Sequence, residues 1–345
     1  YVLDQNAGTI PDNASEGSGT SLNYAGVANG TWYFHVKARN GAGVWGATGH
    51  YRVNIDTSGP AAPTVSSPSH PDQNIWYNDN DPLFSWSATD ISGITGYSYI
   101  LDQNPGTVPD DTSEGLASST SYINIEDGTW WFHIKAQNGS ALWGATGHYK
   151  INVDMLGPAA PSVNSTTHPD QNQWYNNNDP SFSWSATDPS GIAGYSYVLD
   201  QNSGTIPDEI SEGIAASTSY TDIVDGTRWF HVRAQSGSGL WGDTAHYRVN
   251  MDTSGPAAPG VSSTTHPDQN IWYNNNDPLF NWSATDISGI TGYSYILDQN
   301  PGTIPDNTSE GMTTSMNYTD VVDGTRYFHV KAQNGSGLWG ATGHY

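Results

Sequence analysis

Side chains that carry oxygen recur in one turn of each repeated segment of this chain. In the stretch 102–110, Asp102, Asn104 and Asp110 stand around a glycine-containing turn. Calcium takes oxygen ligands from turns of this kind, although the closing glutamate of an EF-hand loop is missing. Asp and Asn also cap turns by accepting hydrogen bonds from their own backbone. Calcium is therefore the most plausible small ligand at this turn, and turn capping is the favoured interpretation.

Two further acidic residues stand where repeated segments meet. Asp56 ends one segment and Asp90 lies in a turn of the next. If the fold brings the two carboxylates together, they form a second candidate cation site between segments. Turn capping is the alternative here as well.

Histidines recur at three positions, represented by His70, His133 and His148. If the strands of His133 and His148 pair as a hairpin, the two rings become diagonal neighbours. A histidine pair can begin a zinc site, but zinc needs a third and a fourth ligand close by. We therefore expect exposed cross-strand packing at this position, and no metal.

Pairs of adjacent aromatic residues lie in polar, Asn-rich stretches, and exposed aromatic rings can stack on sugars. The alternative is that these rings cover one end of a domain or a junction. The candidates for glycan stacking are Trp76, Tyr77, Trp174, Tyr175, Trp272 and Tyr273.

Basic residues are few, and all ten fall in the last two predicted strands of each segment. The acidic residues concentrate elsewhere, chiefly in the loop 102–114 and its equivalents. Cross-strand pairing inside one segment explains this pattern. Salt-sensitive docking on the acidic loops of a neighbouring segment or chain is the other explanation. The candidates for such assembly contacts are Lys37, Arg52, Lys135, Lys150, Arg233, Arg248 and Lys331.

No constellation of residues points to catalysis. Nucleophile-elbow, phosphate-loop, dinucleotide and zinc-protease motifs do not occur, and almost every polar residue recurs in every segment. An active site would therefore have to exist several times over. We predict that the chain is not an enzyme and holds no cofactor.

A long internal repeat organises the whole chain. The string His-Pro-Asp-Gln-Asn begins at His70, His168 and His266, at intervals of 98 residues. This period exceeds that of solenoid repeats and fits one independent sandwich domain. The Gly-Pro-Ala-Ala-Pro strings that mark the junctions favour short, stiff linkers. The predicted modules are 57–154, 155–252 and 253–345, preceded by a partial module at 1–56.

Alternating hydrophobic residues predict strands and no helix. In module 57–154 the predicted strands are 83–88, 96–101, 130–136 and 149–153. In the strand 130–136, Phe132 and Ile134 should face inward, with His133 and Lys135 facing outward. The sequence thus predicts an all-β chain of tandem antiparallel β-sandwich modules.

The modules resemble fibronectin type III or related bacterial immunoglobulin-like domains. The resemblance rests on Phe84-Ser85-Trp86, on Tyr97-Ser98-Tyr99, and on an aromatic strand after Gly128-Thr129. That family usually has a corner tyrosine six residues before the alanine that closes this strand. At this position the chain has Trp32, Trp130, Arg228 and Arg326.

The ends of the sequence cut through modules. Residues 1–56 lack the early strands of a module, and 253–345 lacks most of the last strand. A window from a longer array is the simplest expectation. Strand exchange with neighbouring chains is the alternative.

Composition narrows the class of function. The net charge of −24 argues against nucleic acids and anionic membranes, which require clustered Lys and Arg. Cysteine is absent, and no apolar stretch is long enough to span a bilayer. A surface dominated by amides and hydroxyls is typical of extracellular proteins.

Two functional hypotheses follow for a prokaryotic extracellular or cell-surface protein. The first is a structural segment of a filament, stalk or surface layer, whose partners are neighbouring modules or other copies of the chain. The second is an adhesin or the carbohydrate-binding accessory array of a secreted protein, with host or cell-wall glycans as partners. In the second case repetition would supply avidity.

Overall fold

All regular elements of the chain are β-strands. The computed structural model describes residues 1–345, and the chain divides into two compact units, Tyr1–Met155 and Leu156–Tyr345. The prediction of tandem all-β modules is confirmed, because the same set of sheets recurs along the chain. No helix that could span a membrane is present.

The first unit contains a three-stranded sheet followed by a complete two-sheet sandwich. Its strands are β1 (Val2–Asp4), β2 (Gly30–Val36), β3 (Gly49–Ile55), β4 (Thr64–Ser66), β5 (Trp76–Tyr77), β6 (Leu83–Ser87), β7 (Ile94–Asp102), β8 (Ser119–Ser121), β9 (Gly128–Asn138) and β10 (Gly147–Val153). The sandwich stacks the sheet β4-β6-β8 on the sheet β5-β10-β9-β7. All of its strand pairs are antiparallel except β5 with β10.

The second unit repeats this arrangement. Its strands are β11 (Ser162–Ser165), β12 (Trp174–Tyr175), β13 (Ser181–Ser185), β14 (Ile192–Asp200), β15 (Ser217–Ser219), β16 (Gly226–Ser236), β17 (Ala245–Met251), β18 (Gly260–Ser263), β19 (Leu279–Ser283), β20 (Ile290–Asp298), β21 (Ser315–Asn317), β22 (Tyr327–Asn334) and β23 (Gly343–His344). One sandwich stacks β11-β13-β15 on β12-β17-β16-β14. The other stacks β18-β19-β21 on β20-β22-β23.

Aromatic stacking between the two sheets forms each core. Phe84 on β6 and Phe132 on β9 are fully buried, with ring centroids 4.4 Å apart and planes 8° from parallel. Trp86 packs against the same Phe132 ring at 5.6 Å. Aromatic pairs of this kind add about 0.5–1.5 kcal/mol beyond their area burial. The predicted inward alternation of Phe84, Trp86, Phe132 and Ile134 is confirmed.

The prediction that His133 and Lys135 face solvent is wrong. Both lie on the outer face of β9, as alternation requires, but His133 is 0% and Lys135 is 6% exposed. Asp102 at the end of β7 lies against His133, and the long segment after β7 folds back over this face and brings Asp111 onto Lys135. Alternation assigns a face of the sheet, whereas a crossing loop decides whether that face meets water.

The free edge of β7 is also covered. The Tyr97 N–H donates to the Gly115 carbonyl at 3.0 Å, and the Glu114 N–H donates back to the Tyr97 carbonyl at 2.8 Å. Two residues further on, the Tyr99 N–H donates to the Glu114 carboxylate at 3.1 Å. The same pattern recurs with Glu212 and Glu310. An edge strand that would otherwise expose unpaired backbone groups is thus capped.

Candidate functional site

The calcium candidates are used as turn caps. The Asp102 carboxylate accepts the Asn104 N–H at 2.8 Å, and the Asn104 amide oxygen accepts the Gly106 N–H at 3.2 Å. Asp110 accepts the Thr112 N–H at 2.9 Å, and this backbone hydrogen bond lowers the pKa of the Asp110 carboxyl. No group of three or more His, Asp or Glu side chains is arranged to hold a metal. Calcium binding at these residues stays a prediction.

Three of the basic candidates are packed inside their own modules. The Lys135 ammonium contacts the Asp111 carboxylate and lies 5.1 Å from the centroid of the Trp143 ring. Arg233 and Lys331 occupy the same position over Trp241 and Trp339, and all three are at most 9% exposed. Their charges therefore act chiefly within the module.

The remaining basic candidates present more of their charge at the surface. Arg52 is exposed, and Lys37, Lys150 and Arg248 are half-buried. The Lys37 ammonium donates to the Asn13 amide oxygen at 2.6 Å, and Arg248 donates to the Gln171 carbonyl at 2.7 Å. Arg52 and Lys150 are therefore the basic groups best placed for contact with another copy, and such contact stays a prediction.

The paired aromatic residues differ in exposure between modules. Trp76 and Tyr77 form the short strand β5 and are half-buried, with the Tyr77 ring 4.7 Å from His70. Trp174 and Tyr175 have the same placement. Trp272 is 80% exposed, while Tyr273 packs against His266 at 4.8 Å. In the preceding sandwich Trp174 pairs with Asn250 at the end of β17, and the sequence stops before the equivalent position of the last module, so no strand is there to cover Trp272. Glycan stacking at these residues stays a prediction.

A cluster of hydrogen bonds joins the three-stranded sheet of the first unit to the sandwich that follows it. Asp56 comes directly after β3, and its carboxylate accepts the Ser92 hydroxyl at 2.6 Å and the Asn138 amide at 2.7 Å. The same amide group donates to the Ser58 carbonyl at 2.8 Å. The Ser92 hydroxyl also lies 2.8 Å from Asp90, so it bridges the two carboxylates, while Asp90 caps its own turn by accepting the Ser92 N–H at 2.9 Å.

The second unit repeats this cluster between its two sandwiches. Asp252 accepts the Ser288 hydroxyl at 2.5 Å and the Asn334 amide at 2.8 Å, and Asn334 also donates to the Ser254 carbonyl at 2.8 Å. Burial raises the pKa of Asp252, and the adjacent Asp286 raises it further against the opposing hydrogen bond from Ser288. We call Asp56, Ser92 and Asn138, and likewise Asp252, Ser288 and Asn334, the junction cluster.

The Gly-Pro linker is packed as tightly as the cluster beside it. A Cβ atom on Gly59 would lie 2.3 Å from the Trp143 carbonyl oxygen, and one on Gly144 would lie 2.1 Å from the Pro60 carbonyl oxygen. The Ala145 N–H donates to the same Pro60 carbonyl at 3.2 Å. Only glycine allows this close approach of two backbones. The linker is therefore part of the packed module rather than a free tether.

The last strand is tied to an upstream turn by a tyrosine that the sequence did not single out. The Tyr149 hydroxyl donates to the carbonyl oxygens of His70 at 2.9 Å and Pro71 at 3.0 Å. Tyr247 and Tyr345 make equivalent bonds to His168 and His266. The signal was the recurrence of tyrosine at this position in each repeat. Trp130 stands where the family has its corner tyrosine, and its indole N–H donates to the Glu126 carbonyl.

The predicted histidine neighbours lie directly opposite each other rather than diagonally. His133 on β9 pairs with His148 on β10, and their Nδ1 atoms are 2.6 Å apart. His133 is fully buried, whereas His148 is exposed.

Comparison with known proteins adds a likeness of fold. No family model and no curated protein matches the chain. Among solved structures, the chain is similar to the fibronectin(III)-like modules of CbhA from Clostridium thermocellum. The identity is 13% and the TM-score 0.26, over 55% of this chain and 94% of that one. The fold itself, a set of tandem antiparallel β-sandwich modules, is shown by the strand pairing described above.

Proposed function

We propose that this chain is a structural repeat segment of an extracellular filament, stalk or surface-layer protein. Near-identical modules at a constant period are suited to setting a length, and the acidic, amide-rich surface suits an extracellular setting. The chain offers no catalytic constellation, so the proposed role is not enzymatic. The proposal also includes contacts with other copies of the chain through surface charges.

The junction cluster is the observation that carries this proposal. A structural array needs neighbouring modules to keep their spacing, and a free linker would not ensure it. The first unit and the second unit each contain one such junction. At each, a buried or half-buried carboxylate, a serine and an asparagine hold the linker, and glycines let the linker pack on the following hairpin. Each neutral hydrogen bond contributes about 0.5–1.5 kcal/mol, and bonds to a charged group about twice that.

A distance measurement across one junction tests the proposal. The chain has no cysteine, so spin labels can be placed at T221C and T319C, two exposed and equivalent positions in neighbouring modules. Asn334→Asp keeps the oxygen that accepts the Leu338 N–H but replaces the amide that donates to Asp252. Two carboxylates then face each other, and we expect a narrow distance distribution to broaden.

The matched control makes the same chemical change away from the junction. Asn300→Asp also keeps a turn-capping oxygen, which accepts the Gly302 N–H. It should leave the distance distribution as narrow as in the unchanged chain. A broad distribution in the unchanged chain, or an equally narrow one in Asn334→Asp, would show that the junction does not fix the spacing.

Carbohydrate binding is the second candidate function, and the half-buried aromatic pairs that begin at Trp76 and Trp174 are the observation that favours it. A partly exposed indole flanked by polar side chains can stack on the apolar face of a sugar ring. Both indoles lie in short strands that pair with the last strand of their module, which leaves only part of each ring open. The structural role is therefore the better supported of the two.

A further inference from the structure

A pair of facing histidines is present in each of the four repeats. In every case one ring is fully buried on the penultimate strand, and the other is exposed on the last strand. The Nδ1 atoms face each other at 2.5–2.6 Å, and the ring planes are 76–79° apart. The pairs are His35 with His50, His133 with His148, His231 with His246, and His329 with His344.

The distance between the two Nδ1 atoms shows what can lie between them. A zinc ion bonded to both nitrogens at about 2.0–2.1 Å with tetrahedral angles would hold them about 3.3 Å apart. The observed separation is too short for that and brings the two nitrogens within reach of a direct hydrogen bond. Two protonated Nδ1 atoms would repel and could not approach so closely. The gap therefore holds one proton.

The surroundings of the buried ring determine which of the two Nδ1 atoms carries that hydrogen. The Nε2 atom of His231 lies 3.3 Å from the Asp200 carboxylate, and the Nε2 of His329 lies 2.9 Å from the Asn300 carbonyl oxygen. Both neighbours are acceptors only, so Nε2 of the buried ring carries a hydrogen. Its neutral form then has a bare Nδ1. The exposed ring must therefore supply the Nδ1–H, as it does in the less common tautomer of histidine.

Charged groups on each surrounding element favour one added positive charge and oppose a second. Asp102 at the end of β7 faces His133 with a carboxylate, whereas Lys135 on β9 and Lys150 on β10 bring positive charge to the same sheet face. Lys135 is paired with Asp111. Burial, followed by the electrostatic effect of the neighbouring His133, lowers the pKa of His148. Burial opposes ionisation of Asp102, but bonds from Thr107 and the Asn104 backbone, together with His133, outweigh it and lower the Asp102 pKa.

We propose that each histidine pair is a proton-binding site that accepts one added proton and excludes a second while the hairpin stays closed. The first added proton enters at the exposed Nε2 and leaves the shared hydrogen bond intact. A second proton has to enter the gap between the rings and forces them apart. Acid therefore opens the contact between the last two strands, and it does so in every repeat.

The proposal fixes the sign of the pH dependence. In the unfolded chain both rings take up a proton near pH 6.5. The folded pair takes up only one, so the unfolded state binds one more proton per pair below that pH. The equilibrium constant for opening a module then rises by up to tenfold for each unit of pH lost. The stability that each closed histidine pair gives to its module is fully present above pH 6.5 and is lost progressively as the pH falls below that value.

Module-resolved hydrogen exchange of the full chain at several pH values, corrected for intrinsic rates, tests this. In the unchanged chain we expect protection in the hairpin of β9 and β10 to fall with acid. In His148→Gln this acid sensitivity should disappear from that module and persist in the others, which act as internal controls. If protection in the hairpin of β9 and β10 still falls with acid in His148→Gln, another group, such as the buried His70, causes the effect, and the proposal is overturned.

Nitrogen NMR of the histidine rings at neutral pH provides a readout that does not depend on stability. We expect His148 and its equivalents as the Nδ1–H tautomer, with one strongly deshielded proton in each gap that is lost from the substituted module. Finding these rings as the Nε2–H tautomer would overturn the proposal. So would full protonation of both rings without any change at the amides of Ile134 and Gly147.

Discussion

Replacing Tyr149 by phenylalanine removes one hydroxyl and leaves the ring in place. That hydroxyl is the bond between the last strand of the first sandwich and the turn at His70 and Pro71. A net hydrogen bond contributes about 0.5–1.5 kcal/mol, and a carbonyl left without a partner in a buried site costs about 1–3 kcal/mol. His70 is fully buried, whereas Pro71 is exposed and its carbonyl regains water. We therefore expect a loss of about 1–2 kcal/mol, confined to this module.

The repeat supplies the control for this prediction. Tyr247 makes the same two bonds in the next sandwich, at 2.9 and 3.1 Å, and stays unchanged. In Tyr149→Phe, hydrogen exchange of the slowest amides of β9 and β10 should accelerate by about 5- to 30-fold, the factor that corresponds to about 1–2 kcal/mol. Amides of β16 and β17 should not change. An exchange rate that changes by less than about twofold in β9 and β10, or equally in both modules, would show that the Tyr149 hydroxyl does not stabilise its module in this way.

Three further predictions concern pH, assembly and ligands. Burial raises the pKa of Tyr122 to about 12, so the stability that its neutral phenol confers is complete below pH 10 and is lost as the pH rises through 12. Phenolate absorbance should show this tyrosine ionising later than exposed ones, and ionisation near 10 in the folded chain would contradict the burial. Lys150→Glu should weaken any self-association seen by sedimentation, as high salt should, with Lys150→Gln as the milder control. Association that is indifferent to salt and to both variants would argue against charge-mediated assembly. On a glycan array, replacing Trp76, Trp174 and Trp272 together by alanine should abolish whatever signal the unchanged chain gives, and no signal from the unchanged chain would count against carbohydrate binding.

The repeat and the alternation of large apolar residues were sufficient to predict the class of fold. Phe84, Trp86, Phe132 and Ile134 lie in the core because strand periodicity alone fixes their face. The short strands β4, β5 and β8 were not predicted. They are two or three residues long, and the sequences Thr-Val-Ser and Ser-Thr-Ser carry no alternation of hydrophobicity. Such strands are specified by the partner that they pair with, which a local pattern does not contain.

The spacing of residues along the sequence did not determine which side chains of the candidate sites come into contact. The meeting of Asp56 and Asp90 was one of two alternatives and not a firm prediction, because the junction and the turn lie 34 residues apart and spacing alone does not bring them together. The burial of Lys135 was not predicted, because it depends on a loop that crosses the sheet and on Trp143 from the turn between β9 and β10. The exact opposition of His133 and His148 depends on hairpin register, and a shift of one residue would have turned the rings to opposite faces. Register is set by the turn between the strands, which the sequence marks only approximately.

The capped edge of β7 has a consequence for how a chain of near-identical modules avoids misfolding. Near-identical strands joined by short linkers meet at high local concentration, a condition that favours pairing between the wrong modules during folding. Glu114, Glu212 and Glu310 occupy the backbone N–H that a stray strand would need first. In each module, this hydrogen bond from the edge strand to a glutamate of the following loop thus hinders pairing with a strand of another module. Repetition can then add length without adding a surface for amyloid growth.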